Sequence, residues 1–97
     1  MNITENGAAE LTVSGNIKTI DDSMAVRNAI QKLVDAGASS VTLHIPDSFA
    51  MPSAVIGYLM KLVNRDRVHL TVIAGDQRLR ELLDELHLTE LFGVRGR

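Results

Sequence analysis

A chain of 97 residues is long enough for one domain and too short for two, so residues 1–97 are read as a single domain. Ten basic residues against twelve acidic ones leave a formal charge of −2. With one tyrosine, two phenylalanines and no tryptophan, the chain lacks the basic stripe and stacking surface of a nucleic-acid binder. The absence of cysteine excludes disulfides, thiol chemistry and cysteine-held metal.

The first residues, MNITENGAAE, carry neither the basic start nor the apolar run of a secretory signal. No apolar segment approaches the ~20 residues that cross a bilayer. A soluble cytoplasmic domain without direct membrane insertion is expected.

In chain order, NITEN reads as a short strand turning at Gly7. LTVSGNI (11–17) then alternates, with Leu11 and Val13 opposed to Thr12 and Ser14. DDSMAVRNAIQKLVDAG follows with Val26, Ile30, Leu33 and Val34 at helical spacing. Asp or Ser residues cap its start, and Gly37 takes the left-handed turn at its end. SVTLHI (40–45) alternates Val41, Leu43 and Ile45 against Thr42 and His44. PSAVIGYLMKLVN (52–64) is a second helix and VHLTVIAG (68–75) a further strand. DQRLRELLDELHLTELF (76–92) is a third helix with Leu79, Leu82, Leu83 and Leu86 on one stripe. VRGR is expected to fray.

The order β-β-α-β-α-β-α predicts an α/β domain with one mixed sheet of about four strands. Right-handed crossovers between successive parallel strands place every helix on the same face. The alternating strands agree, because a sheet covered on both faces reads as continuous apolar runs.

Stepping 100° per residue along the second helix gathers Val55, Ile56, Leu59, Leu62 and Val63 into a core-facing arc. The other side carries Ser53, Gly57, Lys61 and Asn64, with Ala54 among them and Tyr58 and Met60 at the flanks. A solvated helix face ordinarily shows Glu and Lys; this one is small and apolar. Gly57 costs about 1 kcal/mol relative to alanine inside a helix, and close approach of another backbone offsets such a cost. A docked partner is the favoured approach, and a loop of the same chain the alternative. Pro52 suits the first helical position, and Ser53 then lies in the first turn, where the positive end of the helix dipole tolerates a phosphate. The loop PDSFAM forms the rim, with Phe49 and Met51 expected to be exposed.

Catalytic and metal readings are weaker. A Ser53–His44–Asp47 constellation has no nucleophile elbow or oxyanion arrangement. His44 and His69 on the open sheet face lack a third ligand, and His87 reads as a surface residue. No phosphate-binding glycine motif is present. The chain is read as a non-enzyme with no cofactor and no metal.

The scaffold segments LTVSGNI, SVTLHI, GYLMKLV and LLDELHLTELFGV, in this order and spacing, resemble the STAS domains of sulfate transporters and anti-sigma factor antagonists. The resemblance spans about Ile3 to Val94. It implies docking on an anti-sigma factor that is also a serine kinase, with phosphorylation of a hydroxyl at the start of the second helix ending the complex. The family's Asp-Ser-Ser/Thr-Gly-Leu signature is here Pro52, Ser53, Ala54, Val55, Ile56, so only Ser53 and Ile56 fit. His44 stands where the family usually has an aspartate. Phe49, Met51, Pro52, Ser53, Ala54, Gly57, Tyr58, Met60 and Lys61 are the expected contact residues, with Ser53 the phosphorylation candidate. Other STAS domains carry no phosphate and serve as subunits of lipid-transport complexes, docking on a transport ATPase. A monomer or weak homodimer is expected.

Overall fold

A computed structural model describes residues 1–96. Strands β1 (Asn2–Gly7), β2 (Glu10–Ser14), β3 (Ser40–Ile45), β4 (His69–Ala74) and β5 (Val94–Gly96) form one sheet in the order β1-β2-β3-β4-β5. β1 is antiparallel to β2, and the remaining neighbours are parallel. Helices α1 (Ile20–Asp35), α2 (Ser53–Asn64) and α3 (Gln77–Glu85) make the three crossovers. The α/β single-sheet architecture expected from the sequence is present, with a fifth strand added.

The period-two pattern sets the core. Leu11, Val13, Val41, Leu43, Ile45, Leu70, Val72 and Ala74 are buried against the helices, which contribute Val26, Ile30, Val55, Leu59, Leu62, Leu79 and Leu83. Thr12, Thr42, His44, Thr71 and Ile73 alternate with them and stay half-exposed on the uncovered face.

The cap of α1 differs from expectation. Thr19, rather than an Asp or Ser, occupies the cap and accepts a bond from Asp22 N at 3.0 Å. Asp22 Oδ2 answers by accepting from Thr19 N at 3.1 Å and Lys18 N at 3.0 Å. The bonds from Lys18 and Thr19 N–H hold the Asp22 carboxyl below its ordinary value of 3.8, because they favour the charged form. A depressed folded pKa contributes stability that is present above the unfolded value and lost as pH falls through the folded one. Acid titration of Asp22→Asn should therefore show a shallower loss of melting temperature below pH 4 than the parent; equal slopes would refute the assignment.

Helix α1 ends as the sequence indicates. Gly37 at φ +102 sends its N–H to Val34 O, and Ala38 N reaches Leu33 O, the two bonds of a Schellman turn.

The end of α3 corrects the sequence reading. The helix stops at Glu85, with His87 at φ +59, His87 N bonded to Asp84 O and Leu88 N bonded to Leu83 O. That is the same terminating turn built on a histidine in place of glycine. Leu86 consequently leaves the apolar stripe and is 47% exposed, whereas Leu88 and Phe92 enter the core from the loop. Of the segment VRGR expected to fray, Val94–Gly96 instead form β5, which pairs Val72↔Val94, Ile73↔Arg95 and Ala74↔Gly96, and Arg97 lies outside the described residues.

Candidate partner-docking surface

Helix α2 begins where the carboxyl ends of β2, β3 and β4 meet. Three loops tie its approach down. Gly15 N donates to Asp47 Oδ2 at 3.2 Å, and Ile17 N donates to Ser48 Oγ at 3.2 Å. Ser48 Oγ donates to Ala50 O at 2.7 Å, and Phe49 N donates to Asn16 Oδ1 at 3.2 Å. Ser48 is fully buried, so its hydroxyl matters as both acceptor and donor. Gly75, after β4, packs on the Pro46 backbone so closely that a Cβ there would lie 2.5 Å from Pro46 O. The start of α2 is thus held by residues 15–17, 47–50 and 75. Sequence reading passed over Asn16, Ser48 and Gly75, although the SGN and PDS clusters are typical of turns whose side chains bond backbone.

Pro52 is the cap, one position outside the helix, and no side chain satisfies the first turn. Ser53 is exposed, and its hydroxyl makes no hydrogen bond among the described residues. Ala54, Gly57, Met60, Lys61 and Asn64 are exposed with it, so the small, apolar side of α2 faces outward as expected. A Cβ built on Gly57 would meet nothing within 4 Å, so no loop among the described residues fills that space.

Two expected contact residues are placed elsewhere. Tyr58 is only 8% exposed. Its hydroxyl donates to Gln31 Oε1 of α1 at 2.9 Å, and its ring lies 5.9 Å from the Arg27 guanidinium carbon. Helix α2 is rolled toward α1, which takes Tyr58 into the helix–helix seam while Ile56 and Val63 stay half-buried. Burial pushes the Tyr58 hydroxyl above its ordinary value of 10.0, since the phenolate would lose solvation there. Met51 is 4% exposed, not part of a rim. It precedes the cap, the position from which an apolar side chain packs inward and sets the entry angle of the chain. Phe49 remains exposed as expected, with the Arg78 guanidinium 4.8 Å above its ring. Asp76 caps α3 through Arg78 N and pairs with Arg78 at 2.8 Å. The Arg78 bond holds the Asp76 carboxyl below the usual range.

The surface continues beyond α2. Ile20 is 80% exposed and Met24 49%, both on α1, and they border a hollow with Ser23, Arg27 and Ala54. Neither residue was expected on this surface. The available signal was two large apolar side chains off the Val26/Ile30 stripe.

The open sheet face presents a different arrangement. His44 Nε2 lies 2.6 Å from Glu10 Oε1. Thr12, His44, Pro46, Ile73 and Gly75 line a shallow hollow of about 150 Å³. His69 is registered with Ser40 and His44 with Ile73, four positions apart and roughly 13 Å along the strands. The two histidines are not brought together. His44 engages Glu10 and Asp47 engages Gly15, so neither is bonded to Ser53. Among the described residues, no three His, Asp or Glu side chains are grouped as a metal site, and no helix is long and apolar enough to cross a membrane.

Neither a scan against protein-family models nor a search of curated proteins finds a match for the chain.

Proposed function

We propose that the chain is a cytoplasmic protein-binding regulatory module resembling the STAS-type anti-sigma factor antagonists. It docks an anti-sigma factor or serine kinase through the start and exposed side of α2, with Ser53 as the control point. The observation that carries this reading is the open space over Gly57, flanked by exposed Ser53, Ala54, Met60 and Lys61. A helix that sacrifices about 1 kcal/mol to keep a glycine in its middle, against no neighbour of its own, is suited to close approach by another molecule. A phosphate on Ser53 would sit favourably at the helix N-terminus, adding nearly two negative charges to a patch that otherwise has none in its first turn. The complex, and not the helix, would bear the cost.

The departures from the family signature at Pro52, Ala54 and Val55 favour a second reading, in which the same face holds a transport ATPase permanently. Pairwise binding to a purified serine kinase and a purified transport ATPase tests both. Gly57→Arg should weaken whichever partner binds by at least about tenfold, the cost of losing one well-buried contact. Undiminished binding would refute docking at this face. Ser53→Asp should abolish binding in the regulatory reading and leave it unchanged in the structural one.

A further inference from the structure

We propose that the hollow between the heads of α1 and α2 is an anchor pocket for one aliphatic side chain of an acidic amphipathic segment, whose carboxylates are met by Arg27 and Lys61. The inference rests on the docking reading above and adds the chemistry of what docks.

Three observations converge. The hollow, about 100 Å³, is bounded by Ile20, Met24 and Ala54, with Ser23 and Arg27 at its wall. An apolar cavity of roughly 150 Å³ takes benzene, so this one has room for a single aliphatic side chain. Ile20 and Met24 stand exposed at its mouth, where water gains nothing from them.

Arg27 is the charged side chain that lines the hollow. Along the seam, α1 holds Arg27 and Lys32 against Asp21, Asp22 and Asp35, while residues 53–67 hold Lys61, Arg65 and Arg67 against Asp66. No carboxylate lies within α2 itself. The ion pairs among the described residues are Lys32–Glu5, His44–Glu10 and Arg78–Asp76; none uses Arg27, Lys61, Arg65 or Arg67. Near the foot of the seam Asp35, Asp66 and Arg27 all bear on the Tyr58 hydroxyl. At the head, Asp22 is turned back onto Lys18 and Thr19, leaving Asp21 as the exposed carboxylate at the apolar end.

The shape decides between ligands of similar charge. A flat anionic bilayer would meet the exposed helix sides and leave a recessed hollow unfilled. An amphipathic helix laid along the seam puts one residue into the hollow, with residues one turn on over Arg27 and two turns on over Lys61. Such rim charges act on association rate and salt dependence, and the buried anchor acts on residence time.

A random linear peptide library selected on the wild-type protein and counter-selected on Met24→Arg tests the inference, with circular dichroism verifying that each variant is folded. Enriched peptides are expected to carry one Leu, Ile or Val with Asp or Glu three or four residues away. Their binding should fall at least about tenfold in Met24→Arg and in Arg27→Glu/Lys61→Glu, and weaken with added salt. No enrichment, a basic or neutral consensus, or binding indifferent to these variants would overturn the inference. So would Met24-dependent self-association, or adsorption to anionic phospholipid vesicles that the peptides do not displace. A protein partner lost on Gly57→Arg but retained by Met24→Arg and Arg27→Glu/Lys61→Glu would leave the docking reading standing and this one overturned.

Discussion

Phe92→Ala is expected to lower stability by about 3–5 kcal/mol, the cost of deleting a fully buried aromatic ring and leaving a cavity. For a domain of this size that lowers the melting temperature by roughly 12 °C or more. The effect belongs to a residue outside any helix or strand because the segment between α3 and β5 closes the core. Phe92 N donates to Leu88 O, and Phe92 O accepts from Val72 N at 3.1 Å, so the residue is tied to its own turn and to β4 at once. Leu86→Ala supplies the contrast. Leu86 belongs to the same leucine-rich segment but points to solvent, and its loss should change stability by no more than about 0.5 kcal/mol. Thermal melts of the two variants check the pair. Similar values for both would mean that the helix continues through residue 86 as a buried stripe.

That contrast also shows where the sequence stops being informative. The first four strands and first two helices were legible because their signals agree: alternation in SVTLHI, helical spacing from Val26 to Val34, and Gly37 where a left-handed residue is needed. DELHLTELF carries no glycine or proline at the point where α3 ends. The left-handed position falls to His87, and leucines at 82, 83, 86 and 88 fit a helix as well as they fit the turn that is present. Residues 94–96 give too short a segment for alternation to register, and their pairing with β4 is a tertiary effect. The side of α2 facing outward was legible from spacing alone, whereas its roll toward α1 was not. Tyr58 turns inward because Gln31 lies within reach of its hydroxyl, and nothing in either local sequence announces that bond. The α1 half of the surface escaped notice for the same reason: Ile20 and Met24 become part of a patch only when Ala54 is placed beside them.

Gly75→Ala should be strongly destabilising, and Gly57→Ala should stabilise the fold. At Gly75 the added Cβ would lie 2.5 Å from Pro46 O and 2.9 Å from Pro46 Cα. Both are backbone atoms, in a loop already fixed by Asp47, Ser48 and Phe49, so no side chain can swing aside to relieve the overlap. A cost of about 3 kcal/mol is expected, the upper end for overpacking a well-ordered site. Some of that strain would pass into the segment from Pro46 to Pro52 and displace the start of α2, so any partner that reads Ser53 and Ala54 should bind more weakly as well. At Gly57 the new methyl meets nothing, and alanine is the better helix former by about 1 kcal/mol, so stability should rise by roughly that amount. Chemical denaturation of both variants, read as opposite shifts of the midpoint at constant slope, checks the two signs together. A destabilised Gly57→Ala would mean the space over α2 is filled by the chain itself. A stabilised one whose partner affinity falls would show that the glycine is kept for the complex at the expense of the fold.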